Sequence, residues 1–184
     1  MRYIPSIAAT LMALALSACE TMSPATYANF ADNSLTLRMF STSKVVIASM
    51  NDQSNFNSGC RLVGPITASG NRTIPKFVED SFNEELKFAG IYSTDADAAK
   101  LNLTLTAASF SSTSNLTSGW WDFGLRLDNP ANNRSVTATS KYEFQSGFNA
   151  TVACQNTSQA LTPAVQRLIN SAVSNPDFRA LIVP

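Results

Sequence analysis

Leu101-Asn102-Leu103-Thr104-Leu105-Thr106-Ala107 alternates leucine with asparagine or threonine at nearly every step. A period of two sends successive side chains to opposite faces of a strand, so this run has one apolar face to bury and one polar face to wet. It predicts a sheet covered on one side only. Two later runs share the period. Trp121, Phe123, Leu125 and Leu127 alternate with Trp120, Asp122, Gly124 and Arg126; Val136, Ala138, Ser140, Tyr142 and Phe144 alternate with Thr137, Thr139, Lys141 and Glu143. Between them, Asp128-Asn129-Pro130-Ala131-Asn132-Asn133 is dense in turn formers, so the two runs read as an antiparallel hairpin. Ser109 to Ser118 reads as a polar turn region, and Phe148 to Cys154 as a short strand continuing the sheet.

The cover has to come from elsewhere in the chain. Thr73-Ile74-Pro75 opens the clearest helix, with Thr73 as N-cap and Pro75 in the first turn, where a missing N–H costs nothing. Phe77, Val78, Phe82, Leu86 and Ala89 recur at three- and four-residue spacing, and Gly90 ends the run. Thr162-Pro163 repeats the opening; Leu161, Val165, Leu168, Ile169, Ala172 and Val173 form the second stripe, stopped by Asn175-Pro176. Upstream, Lys44-Val45-Val46-Ile47-Ala48-Ser49-Met50 is a β-branched run that reads as a central strand, and residues 51–70 read as a long loop. Leu35 to Phe40 reads as a short first strand. The expected class is α+β: one mainly antiparallel sheet of four to five strands with two amphipathic helices on one face.

Lys and Arg together number 13, as do Asp and Glu, and there is no basic run, which argues against nucleic acid as a partner. Histidine is absent, removing the commonest general base and metal ligand at neutral pH. No nucleophile elbow or glycine-rich phosphate loop is found. The expectation is a protein that is not an enzyme, with no catalytic residue, metal or cofactor. The acidic pairs Glu84-Glu85 and Asp95/Asp97 read as a solvated helix face and an acidic turn. Six Asn-x-Ser/Thr triplets, beginning at Asn71, Asn102, Asn115, Asn133, Asn149 and Asn156, follow from an Asn/Ser/Thr-rich composition. Of the neighbours Trp120 and Trp121, only one can enter the core. Trp121 is in register with the apolar face, which leaves Trp120, with Arg126, as a candidate partner-binding surface, the structural alternative being a cap on the sheet edge.

The chain begins with basic Arg2 and an apolar run from Ile7 to Leu16, the build of a secretory leader and too short to span a bilayer comfortably. Leu16-Ser17-Ala18-Cys19 resembles the lipobox of bacterial lipoproteins. That resemblance implies cleavage before Cys19, diacylglycerol on its thiol and further acylation, palmitate among the acyl chains. The expected division is a leader over 1–18, a lipidated N-terminus and tether over 19–42, and one periplasm-facing domain over 43–184. Glu20, where enterobacterial lipoproteins kept at the inner membrane carry aspartate, leans toward the outer membrane. With Cys19 lipidated, Cys60 and Cys154 remain in an oxidising compartment, where an even pair points to a disulfide; two free thiols are the alternative.

The order of elements, with the helix end Phe88-Ala89-Gly90-Ile91-Tyr92, the acidic-small stretch Thr94-Asp95-Ala96-Asp97-Ala98 and the tail Asn175-Pro176-Asp177-Phe178, resembles the YajG-like and ABC-transport auxiliary lipoproteins over about residues 44–182. The long 51–70 loop and the cysteine pair depart from that pattern. The resemblance implies a non-enzymatic envelope lipoprotein, an accessory to an assembly or transport complex, meeting the membrane through its lipid and a protein partner through its domain, with the ligand unspecified. The alternative is a small exported enzyme or enzyme inhibitor whose site is shared by the 51–70 loop and Trp120.

Overall fold

The computed structural model describes residues 23–115 and 117–183. The leader at 1–18 and Cys19 lie outside the described residues. The chain runs through α1 (Ala31–Arg38), β1 (Val45–Asp52), the two-residue strands β2 (Gly59–Cys60) and β3 (Gly64–Pro65), and α2 (Ile74–Ala89). It continues through β4 (Ala99–Asn115), β5 (Ser118–Asn129), β6 (Arg134–Gln145), α3 (Ala150–Gln159), α4 (Leu161–Val173) and α5 (Phe178–Ile182). The main sheet has the order β1-β4-β5-β6.

β4, β5 and β6 pair antiparallel in the expected meander. β1 pairs parallel to β4, so the sheet is mixed rather than antiparallel throughout. The reason lies in the connection: α2 carries the chain from the end of β1 back to the start of β4, and a crossover of that length delivers a parallel neighbour. The class is α+β, and helices cover one face. α2 packs beside β1, α3 on β4 and α4 on β5 and β6. Leu101, Leu103, Leu105, Trp121, Phe123, Leu125 and Leu127 are fully buried under them. A register shift between Leu105 and Ala107 reverses the alternation once, turning Ala108 and Phe110 inward after the leucines.

The signals of the first expected helix hold, whereas Thr162 does not cap the second: α4 starts at Leu161 after Ala160 with no side-chain cap, and the Thr162 hydroxyl donates to Thr26 O instead. The Thr73 hydroxyl accepts from the Lys76 N–H, Pro75 stands in the first turn, and Gly90 closes α2 in the left-handed conformation at φ 80°. Three local readings are corrected. Ser109 to Asn115 extends β4 instead of turning. Leu35 to Phe40 is not a strand: α1 occupies Ala31–Arg38, with Asp32 in its first turn and Arg38 in its last, each at the end the helix dipole favours. Phe148 to Cys154 enters α3, which starts because the Asn149 side chain accepts from the Thr151 N–H at 2.8 Å.

The described part of the expected tether is not a free spacer. Residues 23–40 lie across α2 and α4 as a strap, with Ala25, Asn33, Ser34 and Leu37 buried. Backbone carbonyls of Ser23, Thr26 and Ala28 accept from Ser158, Thr162 and Gln166 at 2.9, 2.8 and 2.7 Å. The main fastening is Glu85, which is fully buried and not part of a solvated face. Its carboxylate accepts from the Tyr27 hydroxyl at 2.5 Å, the Phe30 N–H at 2.8 Å, the Asn33 amide at 3.5 Å and the Ser34 hydroxyl at 3.4 Å. Donors from the strap replace the water that a buried carboxylate would otherwise need. Burial and the facing Glu85 carboxylate both push the Tyr27 hydroxyl far above the ordinary tyrosine range. Glu84, by contrast, is exposed and pairs with Lys87 at 2.7 Å.

Candidate functional site

β1 is an edge strand, not a central one, and its outer edge changes character halfway along. At the start, the Val45 N–H donates to Ile91 O at 2.9 Å and Val45 O accepts from the Ser93 N–H at 3.1 Å. Next, the Asn83 side chain on α2 serves Ile47 at both groups, accepting from its N–H at 2.9 Å and donating to its carbonyl at 3.2 Å. A register shift between Ile47 and Ser49 then moves the outward-facing positions to Met50 and Asp52. There the edge is open: among the described residues no backbone segment pairs with it.

Beside that open edge lies a groove of about 690 Å³, walled by the 51–70 connection and the first turns of α2. Its floor is apolar, with Met50, Phe56, Ile66 and Ile74, and its rim carries Asp52, Arg72, Lys76 and Glu79. Arg72 and Lys76 are held to α2: Arg72 meets Asp80 at 3.1 Å, and Lys76 meets Glu79 at 2.9 Å and Asp80 at 2.8 Å. Partial burial raises the Asp80 carboxyl, but hydrogen bonds from Lys76 and Arg72 outweigh it and hold the group below the usual carboxylate range. The same bonds, to Asp80 first and then Glu79, raise Lys76.

The connection is pinned twice. Cys60 and Cys154 form the expected disulfide, tying β2 to α3 across a sequence separation of 94. Phe56 drops onto the core aromatics, 5.8 Å from Trp121 and 6.0 Å from Phe110 between ring centroids. Trp121 is itself buried as expected, and its indole N–H donates to Thr157 O at 2.9 Å. Sequence patterning marked the loop but not the groove, because Met50 and Ile74 lie 24 residues apart and only the crossover brings them together.

Trp120 is half-buried on the opposite, polar face, with the Lys141 ammonium 5.4 Å from its ring centroid. Arg126 shares that face but lies six residues along β5, about 20 Å away at strand rise, and is engaged by Asp128 at 2.7 Å. The two do not make one surface patch. Trp120 and the 51–70 loop also lie on opposite faces of the sheet, so the single site suggested for an exported enzyme or inhibitor is not assembled. Ser41 and Lys44 stand at the Ser-x-x-Lys spacing of some acyl-transfer enzymes. They fall in the turn before β1 rather than on one face of a helix.

No protein-family model matches this chain, and no curated protein does.

Proposed function

We propose that this chain is a lipid-anchored envelope lipoprotein at the periplasmic face of a bacterial outer membrane, acting as a non-enzymatic binding or accessory module of an assembly or transport complex. The anchor rests on the leader and the Leu16-Ser17-Ala18-Cys19 lipobox. The observation that carries the binding role is the open half of the β1 edge beside an apolar-floored groove. An unpaired edge offers donors and acceptors in register to an extended segment of another protein, and adjacent pockets select its alternate side chains. Natural sheets usually blunt such an edge. Here Asn83 does so for Ile47, and nothing described does so for Met50 and Asp52. The occupant that fits is an extended peptide with apolar residues at every second position, and the partner is an envelope protein that presents it.

The test is a photocrosslinking amino acid placed at Lys76, on the groove rim, or at Trp120, on the far face, in cells making the full chain. A discrete adduct with one envelope protein is expected from position 76 and not from 120. Asp52→Pro removes an outward N–H while sparing the ladder to β4, and should abolish that adduct. No adduct from position 76, or one indifferent to Asp52→Pro, overturns the groove as the binding site.

A further inference from the structure

The strap gives the path by which the chain reaches its N-terminus. Its carbonyls at Ser23, Thr26 and Ala28 take hydrogen bonds from positions 158, 162 and 166, each one helical turn beyond the last. Traced backwards, the strap therefore climbs along α4 and leaves the domain at α3. Cys19 stands four residues before Ser23, at most about 14 Å of extended chain. Whatever is attached to Cys19 can therefore lie no farther than that from Ser23.

The same end carries exposed apolar side chains. Leu62 is 104% exposed, Phe148 81% and Val152 46%. Val152 lies on α3, and Phe148 directly precedes its Asn149 cap. Leu62 is drawn there by two ties: the disulfide from Cys60 to Cys154 on α3, and the bond from the Arg61 guanidinium to the Ser112 hydroxyl at 3.1 Å. Ser146, two residues before Phe148, donates its hydroxyl to Ser112 O, so both segments converge on one residue of β4. None of the three side chains carries a charge, and the short approach from Cys19 gives a lipid surface as their occupant.

We infer that Leu62, Phe148 and Val152 form a membrane-seating patch, which inserts at the bilayer interface beside the lipid on Cys19 and fixes the domain's orientation with its α3 end down. This rests on the reading of Cys19 as the lipidated residue. The several acyl chains expected on Cys19 anchor the chain stably by themselves, and apolar side chains placed beside them add buried area. The patch also orients the domain, which the lipid alone does not. The disulfide acquires a second role: it carries Leu62 to the membrane side.

The test uses the full processed protein, reconstituted into phosphatidylcholine vesicles with and without bromine on the acyl chains. In a Trp120→Phe background, Phe148→Trp and, separately, Leu62→Trp place a reporter in the patch; Met39→Trp places one at the far end, on an exposed position after α1. Brominated lipid should quench the reporter at 148 or 62 about twofold, as for a side chain within the interfacial zone, and leave that at 39 unchanged. Equal quenching at all three positions, or at none, overturns the patch. Mass spectrometry of the N-terminal peptide separates the two readings. A lipidated Cys19 with unquenched reporters sinks the patch alone, whereas an unmodified Cys19 sinks the anchor and the patch together.

Discussion

The strap at 23–40, which carries α1, and the 51–70 connection are both laid against the same domain, and they are fastened by different means. Beside the buried Ala25 and Leu37, the strap is held by polar groups: one buried carboxylate with four donors, and carbonyls served from α3 and α4. The connection is held by a covalent bond and by aromatic burial. Polar fastening is specific in geometry and can be undone by one side chain. Covalent fastening tolerates local rearrangement and responds to redox conditions. The difference makes the connection redox-sensitive and leaves the strap redox-indifferent.

The largest effect should come from the disulfide. Replacing Cys60 and Cys154 together by alanine is expected to cost about 4 kcal/mol in the chain-entropy view of a loop this long. Denaturant titration reads the loss, and hydrogen exchange should rise across 53–71 while strap amides keep their protection. A loss below about 1 kcal/mol would mean that Phe56, rather than the bond, holds the connection. Next comes Glu85→Leu, which strands the Tyr27 hydroxyl and the Phe30 N–H; about 3 kcal/mol is expected from groups left without their charged acceptor. Its signature is the mirror image: strap amides exchange freely, and added reductant changes nothing further in the strap. Strap protection equal to that of the parent would show that the α3 and α4 contacts suffice.

Phe56→Ala, with the disulfide intact, should cost about 2 kcal/mol, less than a fully buried phenylalanine because this ring is only half-buried. Exchange at 53–58 is the readout, and an unchanged rate would break the claim of double pinning. Asp80→Asn is the smallest, under about 1 kcal/mol for a partly exposed ion pair. Its sign follows from the lowered Asp80 carboxyl. The stabilisation is complete above the unfolded carboxylate range and is lost as the pH falls through the folded value. Parent and variant should differ at neutral pH and converge in strong acid; a difference that survives there would rule out ionisation as its source.

What the sequence revealed depends on how local the cause was. The leucine alternation of β4, the Trp121 face of β5, the Thr73 cap of α2 and the apolar stripe of α4 were legible because each is decided within one element. The parallel placement of β1 was not, since it follows from where α2 returns the chain. α1 and α3 were read as strands from β-branched or apolar residues, while the groups that decide them, Asp32 and Asn149, sit at the margin of each run. Glu85 was taken for surface because its partners lie more than 50 positions upstream. The disulfide followed from parity and compartment. The groove had no local signal at all.

The hydrogen bonds that tie the strap to the domain all run to residues supplied later in the chain, from Thr67 and Ser69 at the earliest to Gln166 at the latest. A chain that emerges from its N-terminus therefore has its strap incompletely fastened until α4 follows. For a chain whose Cys19 is to be acylated, this timing has a use. Under the proposed function, the enzymes that cut before the cysteine and load its thiol would meet an unfastened strap, and only afterwards would the domain draw the strap in. The strap would then act as a closing step of maturation, setting the distance between domain and bilayer after the chemistry is over.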